Sequence, residues 1–176
     1  MRIREARPTD VPAIARVHVD SWRTTYRGIV PDEALAGLSY AEREAMWTKI
    51  FTDTTVRGFR YVAEDDTGEI VGFAAGGPEP SGDPQYTGQL YAVYLLEASQ
   101  GQGVGRQLVE AVARDLAHHG FGAMLVWVLA ANPARRFYEA LGGHQLRTRV
   151  ETIGGVELEE VAYGWPDITM LVHGTL

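Results

Sequence analysis

Three glycines at alternate positions, in the run Gln100-Gly101-Gln102-Gly103-Val104-Gly105-Arg106, have a spacing that suits chemistry. No side chain stands between their backbone N–H groups and solvent, so the chain there can approach a ligand closely. A helical pattern follows at once. A helix start adds unpaired N–H groups and the positive end of its dipole, and the combination suits a phosphate. Other proton-carrying side chains are His18 and Asp20, two residues apart in an early segment, and Glu64, far downstream of them. Adjacent His118 and His119 diverge around a helix and have no matching ligands, so no metal site is expected. The chain has no cysteine, which excludes disulfides, thiolate metal sites and thiol nucleophiles.

Strand, glycine turn and helix form one unit around this run. Leu90 to Leu96 has strand character, and Val104, Leu108, Val112 and Leu116, at intervals of four, give a helix one buried stripe. Ala123 to Leu129 is apolar throughout and too short for a typical helix, which suits a central strand buried on both faces. Its order after the helix implies a crossover and parallel pairing, with the partner strand left open. Upstream, Ile3 to Arg7 reads as an edge strand ended by Pro8, and Thr9-Asp10 as the cap of a helix reaching Tyr26. Pro31 opens a short second helix, and Ser39-Tyr40-Ala41-Glu42 is a capping box for a third, towards Phe51. Phe59 to Glu64 and Ile70 to Ala75 form a hairpin, and Gly76 to Gly88, rich in Gly, Pro, Ser and Asp, reads as a surface loop. Downstream, Asn132-Pro133 starts a helix carrying Phe137, Tyr138 and Leu141. A terminal hairpin follows, from Gln145 to Ile153 and Val156 to Trp165.

A length of 176 residues suits a single domain, 1–176, with its own core. A net charge of −7 without any Lys/Arg cluster argues against nucleic acid as a partner. The N-terminus lacks the apolar core of a signal peptide, and no apolar run approaches the ~18 residues of a membrane span. No membrane partner is expected, and the cytoplasm is the expected compartment.

Gln100-x-x-Gly103-x-Gly105 after an aromatic strand, then Asn132 and Phe137-Tyr138-Glu139-x-Leu141-Gly142, resembles the GNAT superfamily of N-acetyltransferases. The order of elements agrees along nearly the whole chain. The resemblance implies an α/β (α+β) fold: a mixed, mostly antiparallel, twisted sheet of about six or seven strands with a central splayed parallel pair, flanked by about four or five helices. It implies acetyl-CoA as co-substrate and no metal. The pyrophosphate would rest on the N–H groups from Gln100 through Gly101, Gln102, Gly103, Val104 and Gly105 to Arg106. It further implies a bulged, splayed region at Val93, Tyr94 and Leu95 whose free backbone pairs with pantetheine, the Leu95 N–H facing the oxyanion. Asn132 would lie near pantetheine as well as capping its helix, and Tyr138 would donate a proton to the departing thiolate. Without the motif, Tyr138 reads only as an aromatic of a buried helix face.

Many members carry a Glu near the start of the core strand, where this chain has Gln89, which accepts no proton at neutral pH. His18, Glu64 and Asp20 stand unranked as substitutes, or the acceptor arrives already neutral. The wording from Trp22 to Pro31 is similar to a bacterial subgroup in which this region borders the acceptor cleft. Trp22 and Tyr26 either wall that cleft or, one helical turn apart, only pack their helix on the sheet. The implied activity is acetyl transfer to a primary amine of a small molecule or peptide through a ternary complex, with a homodimer left open. An alternative is a non-catalytic acyl-CoA-binding sensor. A dinucleotide-dependent oxidoreductase fits worse, because Arg106 stands where the fingerprint needs its third glycine.

Overall fold

In a computed structural model, which describes residues 1–55 and 57–173, every strand joins one sheet. The strands are β1 (Arg2–Glu5), β2 (Phe59–Glu64), β3 (Ile70–Pro78), β4 (Gly88–Leu95), β5 (Met124–Leu129), β6 (His144–Ile153) and β7 (Val156–Trp165). Their spatial order is β1-β2-β3-β4-β5-β7-β6. Only β4 and β5 are parallel; every other pairing is antiparallel. The helices are α1 (Val11–Thr25), α2 (Asp32–Ala36), α3 (Tyr40–Thr52), α4 (Val104–His118), α5 (Arg135–Ala140) and α6 (Thr169–Val172).

Helices cover both faces of the sheet. On one face Leu108, Val112 and Leu116 of α4 pack with Leu90, Met124, Val126 and Val128, and α5 and α6 add Tyr138 and Leu171. On the other, Val11, Ile14 and Val17 of α1 and Trp47 of α3 pack on Val62, Phe73 and Ala75. The stripe read at intervals of four is therefore the buried one, and alternate residues of β5 serve opposite layers. Ser39 Oγ accepts the Glu42 N–H at 3.2 Å, the N-cap half of the expected capping box.

Several local expectations change. β1 ends at Glu5 instead of Arg7, because a 3-10 turn at Pro8–Asp10 intervenes. Asp10 makes no side-chain cap to α1; its carboxylate turns back to the Arg7 N–H at 2.7 Å and to Arg4. The Gly76–Gly88 loop is shorter, since β3 continues to Pro78 and β4 begins at Gly88. Gly76 stays in the sheet because a Cβ there would lie 2.5 Å from Val112 Cγ1, so only a glycine lets α4 come this close. The short α6, with Ile168 and Leu171 buried, exceeds the expected helix count.

Candidate active site

β4 and β5 pair only from Gly88↔Met124 to Leu90↔Val126. Beyond Leu90 they part, and a cleft of about 650 Å³ opens there. Its walls include Val93, Tyr94 and Leu95 of β4, Trp127 of β5, Tyr26 beside α1, the glycine turn, and Asn132, Phe137 and Tyr138.

A bulge accompanies the parting. Ala75 pairs with Ala92 but Gly76 pairs with Leu90, so Tyr91 is the extra residue. The bulge thus lies before Val93–Leu95, the place read from the family pattern. Tyr91 is accommodated because its ring crosses Gly77 and its hydroxyl donates to the Pro78 carbonyl. The Leu96 N–H donates to the Val71 carbonyl of β3 at 2.9 Å. N–H directions alternate along an antiparallel pair, so those of Val93 and Leu95 point away from β3, into the gap. The Leu95 carbonyl accepts from Gln100 Nε2 at 3.2 Å, which ties the glycine turn to the strand end.

Gly101 and Gly103 have φ of 73° and 78°, which L side chains rarely adopt, and a Cβ at either would meet nothing within 4 Å. Gly103 is the N-cap of α4, and its carbonyl takes the Gln107 N–H at 3.2 Å. The N–H groups of Val104, Gly105 and Arg106 precede that bond and have no acceptor within the helix. Backbone, space and dipole thus fit a phosphate. Two residues of the run offer backbone alone: Val104 is buried in the core, and Gln102 Nε2 donates to the Ala98 carbonyl at 3.0 Å. Arg106 lines the cleft, with Nη1 3.8 Å from Glu110.

Tyr138 enters the cleft from α5, its ring held by Phe137 and Trp165. Burial pushes its hydroxyl pKa up, and neighbouring Tyr94 adds to the rise. Asn132 Oδ1 accepts the Ala134 N–H at 2.9 Å and closes the turn that leads into α5; the helix itself begins later than expected, at Arg135, with Ala134 at its N-cap. On the α1 side, the rings of Trp22 and Tyr26 lie 4.6 Å apart, and the Tyr26 and Tyr94 hydroxyls are 3.4 Å apart. Tyr26 reaches the cleft wall, whereas Trp22 stands behind it. The Trp22 indole N–H is buried without a hydrogen-bond partner among the described residues.

The three substitutes for a base are not brought to the cleft wall. Glu64 pairs with Arg4 at 2.8 Å near the β1 edge. Asp20 accepts from the Tyr40 hydroxyl at 2.5 Å. His18 is buried, and its Nδ1 accepts from Trp47 Nε1 at 3.1 Å. Desolvation, helped by the charge of Arg43, lowers its pKa to about 4, so the ring is neutral with its one available lone pair already engaged. Among the described residues the cleft wall carries no carboxylate and no imidazole. Trp127 was missed in the sequence because it sits in an unbroken apolar run, although it alone of the β5 residues is only half-buried.

A family model described as "Acetyltransferase (GNAT) family" matches residues 17–143. The chain belongs to this family, and so to the acyltransferases. It is 44% identical over 169 residues to an uncharacterized N-acetyltransferase, YuaI, of Bacillus subtilis, covering 96% of this chain and 95% of that one. It is 31% identical over 153 residues to a mycothiol acetyltransferase of Rhodococcus erythropolis, covering 77% of this chain but 51% of that longer protein. Among solved structures, a ribosomal-protein-alanine N-acetyltransferase of Brucella melitensis superposes with a TM-score of 0.72 at 21% identity, covering 94% of this chain and 99% of that one. A PaiA N-acetyltransferase of Thermoplasma acidophilum in complex with coenzyme A gives 0.67 at 17% identity, covering 91% and 96%. At such identities these two speak for the GNAT fold.

Proposed function

We propose that residues 1–176 form one acetyltransferase domain that moves an acetyl group from acetyl-CoA to a primary amine of a small molecule or peptide, by direct attack within a ternary complex. The observation that carries this reading is the early end of β4–β5 pairing beside a left-handed glycine turn. Acetyl-CoA supplies the acyl group as a thioester. The backbone from Gln100 to Arg106 holds the pyrophosphate, and the Arg106 side chain adds a charge contact. Val93 offers its unpaired backbone N–H and carbonyl to the amides of the pantetheine arm, with Tyr94 and Asn132 beside them, while the Leu95 carbonyl is held by Gln100. The Leu95 N–H stabilises negative charge on the acyl oxygen.

A departing thiolate, with a model thiol pKa of about 8.5, needs a proton. Tyr138 supplies it, since burial keeps its hydroxyl protonated until that charge appears, and the proton that the nitrogen sheds on becoming an amide balances the one the tyrosine gives and restores the hydroxyl through solvent. Tyr26, backed by Trp22, walls the acceptor side. With no carboxylate or imidazole at the cleft wall among the described residues, the acceptor in this reading is the neutral amine.

Thiol release from acetyl-CoA, measured across polyamines, amino acids, aminoglycosides and peptides with calorimetry of acetyl-CoA binding in parallel, tests this. Turnover on any member supports the reading. Failure to bind acetyl-CoA overturns the assignment of the glycine turn. The bare cleft wall also favours a second reading, a non-catalytic acyl-CoA sensor, for which tight binding without turnover on any amine is the expected result.

A further inference from the structure

Next to the cleft a row of charges crosses the last three strands and is joined by Asp83 from the connection between β3 and β4. Trp127, Ala162 and Arg147 share one rung across β5, β7 and β6, and Leu129, Glu160 and Arg149 share a neighbouring one. Leu125, Trp127 and Leu129 face away from α4, because Met124, Val126 and Val128 fill the α4 core. The row therefore lies on the Tyr26 side of the sheet, opposite the glycine turn. The Arg149 guanidinium stacks on Trp127, with Cζ 4.1 Å from the ring centroid, and Nε donates to Glu160 at 2.7 Å. Arg147 flanks the same ring at 5.6 Å and donates to Asp83 at 2.7 Å.

The acids are recessed and the arginines face outward. The side chains of Glu160 and Asp83 are 14% and 9% exposed, against 47% and 44% for Arg149 and Arg147. A molecule entering along Trp127 therefore meets guanidinium before carboxylate. Arg149 spends only Nε on Glu160, and its Nη1 and Nη2 make no hydrogen bond among the described residues. With the plane fixed by stacking and the Nε contact, that terminal fork is pre-organised for a planar two-oxygen anion.

We propose that Arg149, held by Trp127 and Glu160, recognises a carboxylate on the acceptor, so that the acceptor class is amines carrying a carboxylate, such as amino acids. This rests on the acetyl-transfer reading of the cleft. Glu151 follows Arg149 on the same face of β6, so this face carries three acids to two arginines, which fits a monoanionic carboxylate better than a phosphate dianion.

The test compares kcat/KM for several amino acids with their carboxamides, and for an amino-phosphate with a plain alkylamine. Binding to the CoA-loaded protein is followed by calorimetry. A preference of about ten- to a hundredfold for the carboxylate member is expected, as for a charged hydrogen-bonded pair. Arg149→Ala collapses that preference through KM, Arg149→Lys restores part of it, and acetyl-CoA affinity stays at the wild-type value in both, showing that they are folded. Equal use of acid and amide, a preference that survives Arg149→Ala, or a stronger preference for the phosphate overturns the proposal alone. Absence of turnover on every amine, with acetyl-CoA still bound, overturns the transfer reading and this proposal with it.

Discussion

The imidazole of His18 lies almost parallel to the ring of Tyr94, with centroids 5.4 Å apart and planes inclined by 16°. The stack joins α1 to the splayed half of β4, and the Trp47 indole fixes the imidazole from α3. A neutral ring suits this apolar place; an imidazolium would lose the Trp47 bond and be poorly solvated.

A pH dependence of stability follows. The folded-state pKa, about 4, lies below the ordinary 6.5, so between those values the unfolded chain binds the extra proton. The contribution is complete above pH 6.5 and falls away as the pH drops towards 4, by about 3 kcal/mol for a gap of that size. Urea unfolding at pH 7 and pH 4.5 should show the loss in the wild type and a smaller one in His18→Gln, which is less stable at pH 7. Equal losses in both proteins would show that other groups cause the acid sensitivity.

At the β1 edge of the sheet, Arg4 gives Nη1 and Nη2 to Asp10 at 2.7 and 3.0 Å and Nε to Glu64 at 2.8 Å. The guanidinium holds the Asp10 carboxyl below the usual carboxylate range, so this stabilisation persists at neutral pH and is lost as the pH falls below 3.8. Asp10→Ala removes the ion pair and the acceptor of the Arg7 N–H, and should cost about 2 kcal/mol. Chemical denaturation at pH 7 measures it; a cost under half of that would mean that water replaces the carboxylate well.

What could be read in the sequence was what neighbouring residues decide. The Ser39 capping box, the stripe on α4 and the glycine turn before it each depend on residues within a few positions of one another. The bulge at Tyr91 was not readable, because it depends on the register of β3 against β4. Nor was the row around Trp127, whose members come from three strands and the connection before β4 and whose stacking joins Arg149 to a residue distant in the chain. Asp10 reads as a helix cap until Arg4 and the Arg7 N–H, both upstream, compete for its carboxylate and win.

Tyr138→Phe separates chemistry from binding. The ring and its packing against Phe137 and Trp165 remain, so acetyl-CoA affinity should change little. The proton donor is lost, and kcat should fall about a hundredfold, within the usual range for a general acid. Steady-state kinetics beside calorimetry decides the matter, and an unchanged kcat removes Tyr138 from the mechanism.

Gly103 allows a similar separation. Its φ of 78° makes any side chain costly, by about 1 kcal/mol for alanine, although nothing obstructs the Cβ. Gly103→Ala should lower stability modestly, whereas Gly103→Glu adds a negative charge where the pyrophosphate is expected and should abolish acetyl-CoA binding in a folded protein. Tight binding by Gly103→Glu would place the phosphates elsewhere.

The bare cleft wall has a kinetic consequence. Among the described residues no carboxylate or imidazole reaches it, so the enzyme has no group there to take the proton of an ammonium. Attack then requires an acceptor already neutral, and kcat/KM should rise tenfold per pH unit until the acceptor's own pKa is passed. An α-amine of a peptide, with a pKa of about 8, should level off well before a lysine-type amine of about 10.4. If an enzyme group is the base instead, both acceptors share one inflection set by the protein. Measuring kcat/KM from pH 6 to 10 with one acceptor of each kind distinguishes the cases, and a common inflection below pH 8 would show that a base acts on the amine through water from beyond the cleft wall.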